Sequence, residues 1–448
     1  MQAASTRDRP ARWWVAAALL IALLSLPFGH ALAFDASAWV VWGREVWSLD
    51  LATEAGPSWK PFPVLFTAPF AVLGDGAAGA WLVVARAGAL LSVVGAARLA
   101  HRAAGPWAAV VAAAALVLSP WWLLNGALGN ADPVLGALVV WAILATLDGR
   151  PRLAFVLAVA GALIRPEAWP FVLAHALWLL RRGELRWGPA IGAGTGVLAL
   201  WVVPDLLSSG LDSTTGATGT ASAGSAANTA FPFGTVLRDL GEQAPWVGLA
   251  AALVGTAALW RAGGDGRAAA GARAPAPERA GRPSTWLAGV LAYTVLVAVM
   301  AQVGFAGNPR YLVPGLVLLG AVAGTVVAVV PAARRVPVPG GRSTPGRALV
   351  AAGVVLALLG TGVGDLRDQG RDLRERAELR RGLFAVVEAE GPADDSGRPA
   401  RSGAPDLRAL VAEAFHESVP AATRRARPGD REATPAGGGR WIVRLVVP

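Results

Sequence analysis

Two side chains early in the sequence have the chemistry to handle a phosphate-bearing substrate. Lys60, in the stretch SWKPFPVLF, is a single lysine among 40 basic residues, and all the others are arginine. Lysine binds phosphate as a compact point charge, whereas arginine binds it as a planar fork. Asp35, in FDASAWVVW, begins the same segment and is a candidate acid–base group. The pair indicates a cation for a lipid phosphate beside a carboxylate. The alternative explanation for the single lysine is GC-rich coding, which lowers the lysine content of a protein.

Five further polar side chains lie in turns between apolar runs. Asp132 lies in NGALGNADP, Arg165 and Glu167 lie in LIRPEAWPF, and Arg310 and Tyr311 lie in NPRYLVP. Ionisable groups near a membrane are costly unless they are used, so each is a site candidate. An acid in such a cluster can take a proton from an attacking hydroxyl, and the cations can hold a departing phosphate. The candidate catalytic residues are Asp35 and Asp132, and the candidate substrate-binding residues are Lys60, Arg165, Glu167, Arg310 and Tyr311.

A structural role is the alternative for each of these residues. Asp132 has the position of a cap for a helix that begins at Pro133. Arg165 and Glu167 have the spacing to pair with each other. Any of the others can be a solvated loop charge.

Composition places these residues in a membrane protein. Hydrophobic residues make up 54% of the chain and charged residues 16%. A helix needs about 20 residues to cross the hydrocarbon core, and many apolar runs approach that length. We predict an all-α polytopic membrane protein whose first run is an anchor and not a cleaved signal peptide. The predicted transmembrane helices, about eleven in number, lie at residues 13–33, 77–99, 106–123, 133–147, 152–164, 168–180, 188–204, 244–260, 286–303, 312–331 and 348–363.

The distribution of charged residues predicts how the chain is oriented in the membrane, and the composition argues against nucleic-acid binding and a metal site. The segments predicted to be cytoplasmic hold 19 arginines, and the opposite segments hold only Arg44, Lys60, Arg165, Arg238 and Arg310. The positive-inside rule therefore places the N-terminus in the cytoplasm and, with an odd number of spans, the C-terminus outside. The same rule explains the net charge of +10 without a nucleic-acid partner. The chain has no cysteine and 4 scattered histidines, so no metal site is predicted.

The connecting segments predict two domains. Residues 1–363 form the transmembrane domain, in which 34–76 is a long outer loop whose part 61–73 is an interfacial or re-entrant helix. Residues 205–243 form a mobile outer loop, and the Arg-rich stretches 263–284 and 334–347 are inner linkers. Residues 364–448 form a small extracytoplasmic tail with a charged helix, a linker at 391–405 and a terminal strand in RWIVRLVVP.

The order of these features resembles the GT-C superfamily of integral membrane glycosyltransferases, especially the branch of protein O-mannosyltransferases and lipid A aminoarabinose transferases. In that branch an Asp follows the first span, as Asp35 does, and a KPP-type motif closes the outer loop, as Lys60-Pro61-Phe62-Pro63 does. The stretch VLSPWWLLNGALGNADPVLGALVVWAIL with Asp132, the turn Arg165-Pro166-Glu167 and the turn Arg310 to Pro314 follow in the same order. The similarity covers about residues 10–335 and not the tail.

The resemblance implies a role for each matching residue. Asp35 would be the general base for an acceptor hydroxyl, and Lys60 and Arg310 would contact the lipid phosphate. Asp132 and Glu167 would shape the sugar or acceptor pocket. The donor would be a polyprenyl-phosphate monosaccharide attacked with inversion, and the acceptor would be an extracytoplasmic glycan, glycolipid or protein. This sequence has Asp35-Ala36 where the branch often has Asp-Glu, and Ala38 and Trp39 stand near the place of a frequent arginine.

Two other functions remain open at this point. A transporter or lipid flippase would show polar or broken helices at mid-membrane and often an internal repeat, but only Arg86 is a clear charge within a predicted span. A non-catalytic membrane scaffold would not need Asp35 and Lys60 to converge. The distance between these two side chains therefore discriminates among the three. The identity of the sugar, the acceptor and any divalent metal requirement are not predicted.

Overall fold

Helices make up nearly all of the structure, as long apolar runs punctuated by proline dictate. The computed structural model describes residues 11–29, 31–53, 56–209, 224–244, 246–269, 282–338, 342–390, 400–401, 407–416, 419, 431–436 and 439–445. Proline occupies the first turn of many helices, where its missing N–H costs nothing. The α-helices are α1 Ala11–Leu24, α2 Phe34–Ser48, α3 Pro61–Phe70, α4 Gly76–Ala104, α5 Pro106–Val117, α6 Pro120–Ala127, α7 Asp132–Leu147, α8 Pro151–Ala162, α9 Trp169–Arg181, α10 Trp187–Ser209, α11 Pro232–Gln243, α12 Trp246–Ala269, α13 Pro283–Gln302, α14 Val313–Gly324, α15 Gly346–Glu390 and α16 Arg408–Ala414.

A helix lies in each of the eleven predicted runs, but many are short. Among the described residues, 5 helices are long and apolar enough to cross a membrane, or up to 7 if each of two bent pairs is one span. In these pairs α5 and α6 are bent by 67°, and α11 and α12 by 91°. The structure is therefore a mainly α-helical membrane fold, and the count of eleven spans stays a prediction. The first run is shorter than predicted, because α1 ends at Leu24 and a 3-10 turn follows at Leu26–Phe28.

The centre of the bundle is a buried helix. The span Pro309–Val329, which contains α14, is 89% buried, and its core residues pack with those of α4, α5 and α7. A second apolar cluster, with Trp39, Trp42 and Trp81, lies under α2 and α3. At the other extreme, only 6% of the apolar window of α10 is buried, so this helix lies at the periphery of the bundle.

The predicted outer segments meet at one end of the bundle. The backbone N–H of Ala33 donates to Leu128, and that of Phe62 donates to Leu163. At the other end, Arg347 donates to the carbonyl of Ala104, which joins two predicted inner segments. These contacts sort the segments into two ends as expected; which end is cytoplasmic stays a prediction.

Three segments contain more regular structure than predicted. Interfacial helices were expected in the first outer loop, and beside the helix of 61–73 it contains α2, in which Asp35 lies. Part of the 205–243 loop forms α11, an amphipathic helix whose Val236 packs near Tyr293; residues 210–223 lie outside the described residues. The 334–347 linker is a hairpin of strands β1 Arg335–Val338 and β2 Arg342–Pro345. The helix of 61–73 is present as α3 and a following 3-10 turn.

The tail packs around its own small core. The last predicted span and the charged tail helix are one helix, α15, whose 45 residues extend about 67 Å, roughly twice the hydrocarbon thickness. Leu383 of α15 packs with Phe415 and with Trp441 of the terminal strand. That strand, β5 Trp441–Leu445, is antiparallel to β4 Arg431–Pro435, which pairs in parallel with β3 Ala400–Arg401. The predicted boundary at residue 363 falls within α15 and stays a prediction, and most of the 391–405 linker lies outside the described residues.

Candidate active site

Asp35 is held at the start of a helix and out of solvent. It is the second residue of α2, and its side chain is only 5% exposed. A carboxylate in the first turn of a helix is favoured by the unpaired N–H groups and the helix dipole. The hydrogen bond from the N–H of Ala33 to Leu128 fixes where α2 begins relative to the rest of the bundle.

Two cations contact the same oxygen of this carboxylate. Lys60 Nζ lies 2.9 Å from Asp35 Oδ2, and Arg310 Nη2 lies 2.8 Å from the same atom. Lys60 is the residue before α3, and Arg310 lies in a 3-10 turn, Pro309–Leu312, that leads into α14. The other oxygen, Oδ1, accepts no hydrogen bond from the described residues. We call Asp35, Lys60 and Arg310 the triad.

The triad has an excess of positive charge. Burial alone would raise the pKa of Asp35, but the charges and hydrogen bonds of Arg310 and Lys60 outweigh it, and the pKa lies well below its ordinary value. Asp35 is therefore ionised and neutralises one of the two cations. The ring of Trp39 lies 5.1 Å from Lys60 Nζ and provides a cation–π contact. The remaining positive charge makes the triad suitable for an anion such as phosphate.

A second cluster lies beside the triad and has the opposite balance. Arg165 Nε donates to Asp132 Oδ1 at 2.6 Å, and Arg165 Nη1 lies 3.5 Å from Glu167 Oε1. The guanidinium of Arg165 stacks over the ring of Tyr311 at 3.6 Å. We call Asp132, Arg165, Glu167 and Tyr311 the acidic cluster, because two carboxylates surround one guanidinium.

The acidic cluster overturns the capping alternative for Asp132 and contains the Arg165–Glu167 pair as the weaker of two ion pairs. Asp132 is the first residue of α7 and not its cap; Ala131 is the capping residue, and the Asp132 carboxylate turns to Arg165. Arg165 pairs with Glu167 at 3.5 Å, as that alternative expected, and more closely with Asp132, at 2.6 Å. Burial alone would lower the pKa of Arg165, but Asp132 and Glu167 raise it well above its ordinary value, so this guanidinium stays charged.

Sequence inspection missed several residues that support the site. Asn130 Nδ2 donates to Asn125 Oδ1, and Asn130 Oδ1 lies 3.5 Å from Arg310 Nη1. Both asparagines are buried, Asn125 near the end of α6 and Asn130 in the turn before α7, and the two amides in NGALGN were the available signal. Tyr293, a buried residue of α13, was missed because it lies in the middle of an apolar run in which its one adjacent polar residue is Thr294. Arg86, the charge within a predicted span, donates to the carbonyls of Ser25, Gly29 and Ala127.

A largely apolar cavity of about 350 Å³ lies between α7, α8, α9, α13 and α14. Gly161 and Ala168, on either side of the Arg165–Glu167 turn, line it together with Tyr293. One lining residue, Phe171, is 38% exposed, so the cavity reaches the surface of the bundle. In the part of the chain that the structure describes, no group of three or more His, Cys, Asp or Glu is placed to hold a metal ion.

Comparison with known proteins identifies the fold. No family model and no curated protein matches the sequence. The crystal structure of ArnT from Cupriavidus metallidurans bound to undecaprenyl phosphate superimposes with a TM-score of 0.54 at 14% identity, over 91% of this chain and 85% of that chain. The chain has the fold of ArnT. The apo structure of the same protein gives a TM-score of 0.55 at 16% identity, over 91% of this chain and 84% of that one.

The match confirms the resemblance seen in the sequence at the level of fold. ArnT is a lipid A aminoarabinose transferase, a GT-C glycosyltransferase. The alignment of the two folds extends beyond the 10–335 region in which the motifs were recognised, since it covers 91% of the chain. The ArnT fold accounts for a helical bundle in a membrane, whereas the roles of individual residues stay predictions.

Proposed function

We propose that the protein is a membrane glycosyltransferase that moves a monosaccharide from a polyprenyl-phosphate donor to a hydroxyl of an extracytoplasmic acceptor, with inversion. The observation that carries this proposal is the triad, in which Lys60 and Arg310 both contact the buried carboxylate of Asp35. A scaffold has no need for this convergence. The ligand class is supported by the ArnT fold, since ArnT has been crystallised with undecaprenyl phosphate.

The triad supplies the groups that one displacement requires. The acceptor oxygen forms a bond to the anomeric carbon of the sugar as the bond from that carbon to the phosphate oxygen breaks. The electron pair leaves with the polyprenyl phosphate, which gains one negative charge, and Asp35 takes the proton of the acceptor hydroxyl. Lys60 and Arg310 stabilise the charge that develops on the leaving phosphate. Asp132 would serve as a second acid near the reacting groups.

Donor binding would also change the basicity of Asp35. Without a donor, two cations hold the carboxylate and keep its pKa well below its ordinary value, so it is a weak base. A phosphate that draws Lys60 and Arg310 toward itself would relieve this effect and let the pKa rise. Oδ1, which accepts no hydrogen bond from the described residues, is the oxygen free to take the proton.

The apolar cavity suits the lipid part of such a donor. Its walls are almost entirely hydrocarbon, and Tyr293, which lines it, lies within electrostatic range of Arg165 and Glu167. A lipid chain in the cavity would bring its phosphate to the charged end of the bundle, where the triad lies. We further propose that the protein is a multi-pass plasma-membrane protein whose reaction takes place on the extracytoplasmic side, with mannose or arabinose as the transferred sugar.

The test is turnover of labelled donors by the purified protein in lipid nanodiscs. A panel of undecaprenyl-phosphate sugars carrying mannose, arabinose or glucose is incubated with extracts of cell-envelope glycans, glycolipids and exported proteins. Transfer of label to an acceptor, with release of undecaprenyl phosphate, is the expected result. Transport of a labelled lipid across the bilayer of a vesicle, without cleavage of the sugar–phosphate bond, would instead identify a flippase.

A further inference from the structure

Arg86 of α4 is a charged side chain within a predicted transmembrane span, and the proposed reaction does not use it. Its Nη1 donates to the carbonyl and to the hydroxyl of Ser25, at 3.1 and 2.9 Å. Its Nη2 donates to the carbonyls of Gly29 and Ala127, and its Nε also donates to the carbonyl of Ala127. An ionisable residue in a transmembrane segment is costly and usually has a function. Arg86 ties together two connections of the chain, the one between α1 and α2 and the one between α6 and α7.

The groups that accept hydrogen bonds from Arg86 lie at the ends of helices. Ser25 follows α1, Gly29 follows the next 3-10 turn, and Ala127 is the last residue of α6. Carbonyls at the C-terminal end of a helix lack an intrahelical partner and carry a partial negative charge, so a cation there is favourable. Arg86 also lines a groove of about 300 Å³. A guanidinium has five N–H groups, however, and these hydrogen bonds occupy all of them, so no donor is left for the phosphate of a lipid.

The residue after Ala127 fixes the start of the helix that carries Asp35. The carbonyl of Leu128 accepts a hydrogen bond from the N–H of Ala33 at 2.9 Å. Ala33 is the residue before α2, and Asp35 is the second residue of that helix. Because an aspartate side chain is short, the backbone at the start of α2 decides where its carboxylate lies. A shift of the turn after α6 would therefore displace Asp35.

The same turn contacts the two cations of the triad less firmly. Asn130 Oδ1 lies 3.5 Å from Arg310 Nη1, whereas Arg310 Nη2 lies 2.8 Å from Asp35. The side chains of Lys60 and Arg310 are long, so they can follow a phosphate when the turn shifts. The turn after α6 therefore matters more for the position of the base than for the contacts to phosphate.

We propose that Arg86 is a positioning residue, which holds Asp35 where its carboxylate can take the proton of the acceptor hydroxyl. The inference rests on the proposed function and adds a residue of α4, a helix that contributes no side chain to the triad. Arg86 does not contact the substrate, and it acts through the turn after α6 and the start of α2. A displacement of about 1 Å at a reacting group can slow a reaction about 100-fold. Loss of Arg86 should therefore slow transfer without weakening phosphate binding.

The experiment separates the rate of transfer from the binding of phosphate. Single-turnover transfer from the donor that the wild type uses, and binding of undecaprenyl phosphate, are measured in nanodiscs for the wild type, Arg86→Met and Arg86→Lys. Each rate is divided by the amount of protein that binds undecaprenyl phosphate. We expect Arg86→Met to transfer roughly 10- to 100-fold more slowly at saturating donor, with a Kd for undecaprenyl phosphate within about 3-fold of the wild type. Arg86→Lys keeps the charge and has three N–H donors, so it should regain part of the rate. A merely structural role would lower the melting temperature and the amount of folded protein, but not this rate.

A matched control removes another arginine of the same helix. Arg98 lies about 18 Å further along α4 and stacks over the ring of Trp141, so Arg98→Met should keep the wild-type rate. If the wild type transfers sugar and Arg86→Met keeps its rate, or loses rate and affinity for undecaprenyl phosphate by the same factor, the inference alone is overturned. If Arg86→Met yields no protein that binds undecaprenyl phosphate, Arg86→Lys decides, since three donors cannot replace five, and a wild-type rate then overturns the inference. A wild type that transfers no sugar from any donor overturns the proposed function and the inference with it.

Discussion

Replacement of Asp35 by asparagine tests the proposed chemistry most directly. The change keeps the shape of the side chain and removes its charge, so the acceptor hydroxyl loses its base. Loss of a general base typically slows a reaction by about 100- to 10,000-fold. We therefore expect Asp35→Asn to lower single-turnover transfer by this factor.

The same substitution should strengthen the binding of undecaprenyl phosphate. In the wild type, Asp35 Oδ2 competes with the phosphate for Lys60 and Arg310, at 2.9 and 2.8 Å. A hydrogen bond between charged partners contributes about 1.5–3 kcal/mol, and a neutral amide oxygen contributes about 1 kcal/mol. The competition thus falls by roughly 1 kcal/mol for each of two bonds, which corresponds to a gain in affinity of up to about 30-fold. The donor-free variant should be less stable, because removal of one partner from a buried ion pair costs about 3–5 kcal/mol.

The assay combines single-turnover transfer with direct measurement of undecaprenyl phosphate binding in nanodiscs. Asp50→Asn is the matched control, since Asp50 is an exposed residue of the same segment and should leave both quantities unchanged. Slow transfer with equal or tighter binding supports the base role. Turnover within about tenfold of the wild type would refute it, and weaker binding would show that Asp35 does not compete with phosphate.

Three further predictions concern the elements around the triad. Lys60→Ala should weaken undecaprenyl phosphate binding by roughly 10- to 150-fold. Lys60→Arg should restore part of this affinity because the charge remains. Equal titration curves for the wild type and both variants would exclude a phosphate contact. Burial raises the pKa of Glu45 from 4.5 to about 7. The neutral Glu45 side chain therefore contributes about 3 kcal/mol to the free energy of unfolding below about pH 4.5, and this contribution is lost as the pH rises through 7. Thermal unfolding should accordingly show that Glu45→Gln loses less stability than the wild type between about pH 5 and about pH 8. In Gly43→Ala, the added methyl would clash with the backbone of Thr67 and push α3 from α2, which should cost about 1–3 kcal/mol of stability and reduce turnover. Gly353→Ala is the control, because the space at its Cβ is open. Equal melting temperatures of the two variants would contradict the packing argument.

The sequence predicted which residues lie together better than it predicted how they pair. Asp35 and Arg310 are 275 residues apart and share a hydrogen bond. Their proximity followed from topology, because alternating spans return every second connection to the same end of a bundle. The partner of Arg165 was not predictable in this way, since Asp132, 33 residues away, competes with Glu167, which is 2 residues away. Only the local turn geometry decides that Glu167 is the weaker partner.

The errors in the fold have a common physical origin. Hydropathy marks where a segment is buried in lipid, but it does not mark where a helix ends. The helix α15 continues from an apolar stretch into a charged one, because Leu, Arg and Glu all favour helix in either solvent. α2 lies in the predicted outer loop, and its bounds were not predicted because its face toward the protein is covered by α3 and by the tail, and not by lipid. In both cases tertiary packing, which composition does not record, sets the boundary.

The two clusters have opposite charge balances, and this difference orients a phosphate-bearing donor. The triad has two cations for one carboxylate, and the acidic cluster has two carboxylates for one cation. In a site of low dielectric these opposite balances act strongly, because little water screens them. A phosphate is attracted to the first cluster and repelled by the second, whereas a neutral sugar with hydroxyl groups has no such penalty at the second. We therefore expect the phosphate of a polyprenyl-phosphate sugar to bind at the triad, with the anomeric carbon beside Asp35.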